Sequence, residues 1–302
     1  MRKLVTAAAA AFVGTATTAA TVLAIGAGPA ESEADRHGGR GHYADVNGLH
    51  MYYEVHGKDR GQPPLVLLHG AFSATGTSWG ELIRQLSKNR TVISVEQQGH
   101  GHTADIDRPL RIGLMAQDTV DLLDEIGVAK ADFYGYSMGA GIALTIGVEH
   151  PEKVRKLVLQ SVAFNNDGYH PGHLEMMRQI QPEMLYGSTF HQEYLEIAPN
   201  PEDFDALVGK VKDMVNHTPA VAPAAIRAMT APVLTVMGDS DIFRPEHAVE
   251  LFRLTGGGVN GDITGLPNSQ LAVLPGTSHI TSVQQARLLL TLVPAFLDAP
   301  VR

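Results

Sequence analysis

The sequence predicts an α/β protein: a mainly parallel sheet with helices on both faces. Three observations predict it. Apolar runs of strand length alternate along the chain with segments of helical apolar spacing. Several of the runs are apolar at consecutive positions, as in strands buried on both faces. The chain also carries 31 Gly and 17 Pro, enough to punctuate many turns.

The elements follow in order. Tyr43–Val46 and His50–Val55 are strand-like runs joined by Asn47-Gly48, a tight-turn pair. Pro64 leads into LVLLH, a third strand ending at Gly70. Residues 78–88 have helical spacing, and Thr91–Val95 is a fourth strand. Residues 111–126 place Ile112, Met115, Val120, Leu122, Leu123 and Ile126 largely on one helical stripe. The acidic Asp118, Asp121, Asp124 and Glu125 read as that helix's solvated side. Ala131–Tyr136 is a strand, 138–149 a Gly- and Ala-rich helix, and Val154–Val162 a strand with Lys156 near its start. Val233–Met237 and Leu271–Leu274 complete eight strands, with helices at 245–254 and 283–297. Residues 165–218 interrupt the rhythm. They contain no strand-like run, and Met176, Met177, Met184, Met214, Tyr186, Phe190 and Tyr194 lie in polar, helix-forming sequence. The segment follows a strand's carboxyl end, where ligands bind in open α/β sheets.

The 302 residues carry a net charge of −9, from 23 basic and 32 acidic side chains. That balance argues against a nucleic-acid partner, which would need a basic patch. Cysteine is absent, which excludes disulfides, a thiolate nucleophile and Cys-ligated zinc. Residues 1–30 open with Arg2-Lys3 and continue without charge to Ala30. Gly28 and Ala30 supply small residues before Glu31. This is the layout of a signal peptide, so the chain is expected to be secreted, to the extracellular space or periplasm. An uncleaved membrane anchor is the alternative. Residues 31–42 read as a flexible tether. The remaining domains are a core of 43–164 and 219–302, with 165–218 as a helical cap.

Gly135-Tyr136-Ser137-Met138-Gly139 is the strongest motif. The pattern alone is loose, but here a strand precedes it and a helix follows. A sharp strand-to-helix turn needs small residues at 135 and 139, where side chains would meet neighbouring strands. It leaves the Ser137 hydroxyl exposed above the sheet. A serine hydroxyl needs a base to take its proton. His279, in Pro275-Gly276-Thr277-Ser278-His279, follows the last strand and is the only histidine after His247. His247 is disfavoured because EHAVELF reads as exposed helix. The acid comes from Gly238-Asp239-Ser240-Asp241. Asp241 lies farther out, in position to turn towards a histidine, while Asp239 suits a turn-fixing role. The Met138 N–H is one oxyanion donor. Ala71 N–H, after His69-Gly70, is the other, with Phe72 as the alternate. His69 reads as a loop brace.

Taken in order, LVLLHG, GHGHT, GYSMG, GDSD and PGTSH resemble the α/β-hydrolase superfamily over about residues 43–298. Within it the chain looks most like the carboxylesterase, lactonase and perhydrolase group. The resemblance implies an α/β-hydrolase fold with an eight-stranded, mainly parallel sheet and a small helical cap. It implies catalysis by Ser137, Asp241 and His279. Such relatives usually show Asp-x-Arg-Gly-x-Gly after the fourth strand. Glu96-Gln97-Gln98-Gly99-His100-Gly101 keeps the glycines and departs at Asp and Arg.

No metal is expected. His100-x-His102 is followed by Ala104 and Asp105, not by the Asp and His of a metallo-hydrolase. No phosphate-binding glycine motif is present, so no nucleotide cofactor is implied. The expected activity is hydrolysis of carboxylic esters with small to medium apolar acyl groups. Phe72, Met176, Met177, Tyr186 and Phe190 are expected in the pocket wall, and a small-molecule ester is the only partner. A lactonase or a carbon–carbon bond hydrolase would use the same residues. A non-catalytic binding protein of this fold would normally have lost a triad member.

Overall fold

A computed structural model describes residues 40–301. The segment read as a signal peptide, and the tether up to residue 39, lie outside the described residues; residues 40–42, expected as the end of the tether, instead begin a strand, paired through backbone hydrogen bonding with Tyr53–Val55. The elements are β1 Arg40–Val46, β2 Leu49–His56, β3 Leu65–Leu68, α1 Thr75–Leu86, β4 Val92–Val95, α2 Ile112–Glu125, β5 Ala131–Tyr136, α3 Met138–Glu149 and β6 Val154–Gln160. After β6 come α4 His173–Arg178, α5 Thr189–Ile197, α6 Phe204–His217 and α7 Pro223–Ala228. The chain then returns to β7 Val233–Ser240, α8 Pro245–Leu254, α9 Gly261–Thr264, β8 Gln270–Ser278 and α10 Ala286–Asp298.

The strands form one eight-stranded sheet in the order β1-β2-β4-β3-β5-β6-β7-β8. The β1–β2 and β2–β4 pairs are antiparallel and the rest are parallel. Asn47 and Gly48 both have positive φ, as the β1–β2 turn requires. β3, β4 and β5 are buried at every position, so their apolar runs serve two faces at once. On one face lies the larger core cluster, in which α2 and α3 pack with Tyr194, Phe204 and Met214 of the insertion. On the other, Trp79, Leu82 and Ile83 of α1 meet Leu289, Val293 and Phe296 of α10.

α1 begins three residues earlier than its apolar spacing predicts. Its amino-terminal N–H groups are satisfied by carboxylates far away in sequence. Thr75 N donates to Glu96 (3.1 Å), and Ala74 N and Thr77 N donate to Glu193 of α5 (3.0 and 2.7 Å). Acidic partners at a helix amino terminus are favourable. They also tie the insertion to the loop that precedes α1.

Two sequence expectations need correction. Asp118 is buried, because Arg108 forms a paired contact with its carboxylate (2.5 and 3.2 Å) and Asn47 donates to it at 2.9 Å. His247 is 2% exposed. The turn after β6 folds over α8, stacks Phe164 on the His247 ring and donates the Phe164 N–H to its Nε2 at 3.1 Å. No helix among the described residues is long and apolar enough to cross a membrane.

Candidate active site

β5 and α3 meet at Ser137, whose backbone is forced to φ 54°, ψ −115°. A side chain at the flanking glycines is impossible without a rearrangement. A Cβ on Gly139 would lie 1.9 Å from the Leu68 carbonyl oxygen of β3. One on Gly135 would lie 2.2 Å from the carbonyl of Gly139, so it would meet the helix rather than a neighbouring strand. These two contacts explain why the turn reads Gly-x-Ser-x-Gly.

The three side chains expected together are together. The Ser137 hydroxyl lies 2.9 Å from His279 Nε2, and His279 Nδ1 lies 2.8 Å from Asp241 Oδ1. The Asp241 side chain is fully buried and that of His279 largely so. Burial pushes the Asp241 carboxyl up. The His279 hydrogen bond and charge, with the Ser161 hydroxyl and Phe243 N–H, outweigh it and hold the group below the usual carboxylate range.

Asp239 sits apart from this chain. Its carboxylate accepts the N–H groups of Gly276 (2.8 Å) and Thr277 (3.0 Å), so it fixes the approach to His279. Those bonds run to the last residues of β8, and the adjacent Ser240 hydroxyl donates to the same carboxylate at 3.2 Å. The His279 carbonyl is held in addition by the hydroxyls of Tyr136 (3.0 Å) and Ser282 (2.7 Å). Ser282 in turn accepts from Gln160 at 2.9 Å.

Above Ser137 runs the loop after β3. A Cβ on Gly70 would sit 3.5 Å from the Ser137 Cβ, so this backbone passes close beside the nucleophile position. Phe72 adopts φ 65°. The N–H groups of Ala71, Phe72 and Met138 have no acceptor among the described residues. They are the free donors beside Ser137. His69 braces the loop from beneath. Its Nδ1 donates to the Gly70 carbonyl (2.8 Å) and its Nε2 accepts the Gln97 N–H (3.0 Å). Burial, helped by neighbouring His100, pulls His69 down to about 3, so it is neutral in the folded chain.

A family model of the alpha/beta hydrolase fold matches residues 63–202, which include the Ser137 turn. With the sheet order above, that match gives this chain the α/β-hydrolase fold. It is a hydrolase. The 2-hydroxymuconate semialdehyde hydrolase of Pseudomonas sp. strain CF600 is 27% identical to this α/β-hydrolase, over 78% of this chain and 86% of that one. Carboxylesterase CesB from Bacillus subtilis superposes with a TM-score of 0.65 at 18% identity, covering 87% of this chain and 93% of its own. The enol-lactonase from Burkholderia xenovorans LB400 gives 0.62 at 20% identity, with 85% and 100% covered. At these identities the two structures share the fold.

The departure from the superfamily's Asp-x-Arg is structural in this α/β-hydrolase. Glu96 accepts from Thr75 N and from His102 N (2.7 Å), and Gln98 is bonded to Asp105, Arg108 and the Arg108 carbonyl. Both side chains join neighbouring loops.

The expected pocket wall is only partly there. Phe72 and Met177 pack against the larger core cluster and Phe190 is half-buried. Met176 is 53% and Tyr186 47% exposed. α4 is less than two turns long, so it cannot bury both of its methionines. Tyr186 is held outside by a hydrogen bond to Asp205 (2.8 Å) and a stack on His191.

Sequence reasoning missed the aromatic side of the site. Phe243 lies edge-on to His279 at 5.6 Å, Tyr169 packs on Phe243 at 4.7 Å, and His173 stacks on Tyr169 at 5.4 Å. Tyr169 also lines a cleft of about 650 Å³ with His170, Leu174, Arg178 and Arg244. Phe243, two residues after Asp241, was the one member with a local signal.

Proposed function

We propose that this α/β-hydrolase is a serine carboxylic ester hydrolase for small to medium apolar acyl groups. The observation that carries the reading is the continuous Ser137–His279–Asp241 chain, with contacts of 2.9 and 2.8 Å. His279 Nδ1 faces a carboxylate, so that nitrogen carries the proton and Nε2 is the lone pair aimed at Ser137. In the reaction, His279 takes the Ser137 proton as the hydroxyl oxygen attacks the ester carbonyl. The N–H groups of Met138 and Ala71, with Phe72 as the alternate, stabilise the oxyanion. His279 then protonates the leaving alcohol. Water, activated by the same imidazole, releases the acid from the acyl-enzyme. Asp241 fixes the tautomer and stabilises the imidazolium. A serine at 137 is incompatible with the aspartyl-ester route of the fold's dehalogenases and epoxide hydrolases.

The chain is further proposed to be exported with loss of residues 1–30, and mass analysis of the mature protein should find its amino terminus near Glu31. Phe243 beside His279, and Tyr169 packed on it, support apolar acyl groups. Each buried methylene adds at most about 0.8 kcal/mol, so rates should change by several-fold per carbon until the pocket fills. A panel of p-nitrophenyl esters, lactones and vinylogous diketones tests the reading, with Ser137→Ala as control. Turnover should peak at acyl chains of about two to eight carbons. A palmitoyl ester cleaved better than a butyryl ester would overturn the small-pocket reading. Faster turnover of diketones would favour a carbon–carbon bond hydrolase, the second reading supported by the match to most of the 2-hydroxymuconate semialdehyde hydrolase.

A further inference from the structure

We propose that Ser161 is a positioning residue for this reaction, whose buried hydroxyl fixes the Asp241 carboxylate in the orientation that serves His279. The inference rests on the triad reading above.

Ser161 directly follows β6 and is 1% exposed. Its N–H donates to the Val236 carbonyl of β7 at 2.8 Å, which pins it between two parallel strands. Its hydroxyl donates to Asp241 Oδ2 at 2.6 Å, across 80 residues of sequence. The other oxygen, Oδ1, faces His279 Nδ1 at 2.8 Å and accepts the Phe243 N–H at 3.3 Å. A carboxylate is planar, so fixing Oδ2 fixes the direction of Oδ1. Without the Ser161 donor, Oδ2 would be a buried charged oxygen with no hydrogen bond. The group would turn to find one, and the imidazole it orients would turn with it.

The backbone supports the same conclusion. Among the described residues, four non-glycine positions have positive φ: Asn47, Phe72, Ser137 and Ser161. Asn47 sits in the β1–β2 turn. Phe72 and Ser137 belong to the oxyanion loop and the nucleophile turn. Ser161, at φ 56°, lies in a region where glycine is relaxed and other residues are strained. A side chain held there at the expense of strain is one that the site uses.

The test compares Ser161→Gly, Ser161→Ala and Ser137→Ala in the full chain. It measures kcat and KM on p-nitrophenyl butyrate, the rate of Ser137 labelling by a fluorophosphonate, and Tm. Glycine relieves the strained φ while removing the hydroxyl, so stability and activity should move apart. Ser161→Gly should keep a higher Tm than Ser161→Ala, because glycine relieves the strained φ, and should lose about tenfold to a hundredfold in kcat, the worth of a hydrogen bond to a charged group. Its KM should stay within about twofold and its labelling should slow in step with kcat. Ser161→Ala should show the same kinetic loss. Ser161→Gly with kcat and labelling within about twofold of wild type would overturn the proposal. So would kinetic losses that occur only where Tm falls. If Ser137→Ala is inactive while Ser161→Gly is fully active, the positioning role alone fails. If Ser137→Ala stays active, the triad reading fails instead.

Discussion

Acidification from pH 6 to pH 5 should destabilise this protein steeply, because three buried histidines are held neutral by their partners. His69 Nε2 and His247 Nε2 each accept a backbone N–H, so neither nitrogen can take a proton without losing that bond. His100 Nδ1 faces the Gln98 carbonyl, and its Nε2 is buried with no partner among the described residues. Burial pulls His69 down to about 3 and His100 and His247 to about 4, from an ordinary value of 6.5. The folded values are depressed, so between about pH 4 and 6.5 the unfolded chain binds more protons and stability falls with pH. Above that window the three groups contribute no slope. Each histidine protonated only when unfolded contributes about 1.4 kcal/mol per pH unit, so three give roughly 3–4. Against a typical stability of about 5–15 kcal/mol, that removes more than half of the stability at the lower end of the range and about a quarter at the upper end. Asp241 does not offset this. Its depressed pKa contributes stability above the ordinary carboxylate value, lost only as pH falls through the folded one. Urea melts at closely spaced pH values read the slope directly. His247→Gln, which keeps an acceptor for the Phe164 N–H but does not titrate, should remove about one third of it. A slope below about 1 kcal/mol per pH unit, or an unchanged slope in His247→Gln, would refute the reasoning.

Asp241→Asn should lower kcat/KM by on the order of 10³ or more, since the imidazole loses its counter-charge and its tautomer. Asp239→Asn keeps an oxygen for one of its two N–H donors and should cost less than about tenfold. The reverse ranking in folded proteins would exchange their roles. Gly139→Ala places a methyl 1.9 Å from the Leu68 carbonyl and should yield no soluble folded protein. A variant with wild-type circular dichroism and Tm would show that the turn can relax.

The strands and the triad were legible because their constraints are local. An apolar run of four residues buried on both faces, such as Leu65–Leu68, states its own environment. The turn at Ser137 demands glycines within two residues of it. His279 and Asp241 each stand just beyond a strand's end. What was hidden depends on partners remote in sequence. Ser161 is an unremarked serine after a strand until β7 brings Asp241 to it. Asp118 and His247 sit in helices whose periodicity leaves them outside, and they are buried only because Arg108 and the Phe164 turn close over them. The short helices after β6 carry too few turns for any apolar stripe to show which methionine faces in. The orientation of Met176 and Tyr186 was therefore unreadable.

If His279, held by Asp241, activates it, the Ser137 hydroxyl is the one activated nucleophile of the chain. Intact-mass and peptide analysis after fluorophosphonate treatment tests it most directly. The expected result is a single adduct per chain, located on Ser137, formed in proportion to the loss of esterase activity. Labelling should be absent in Ser137→Ala and slowed by about 10³ in His279→Ala, as expected for loss of the activating base. An adduct on another residue, or full esterase activity in protein fully labelled at Ser137, would contradict it.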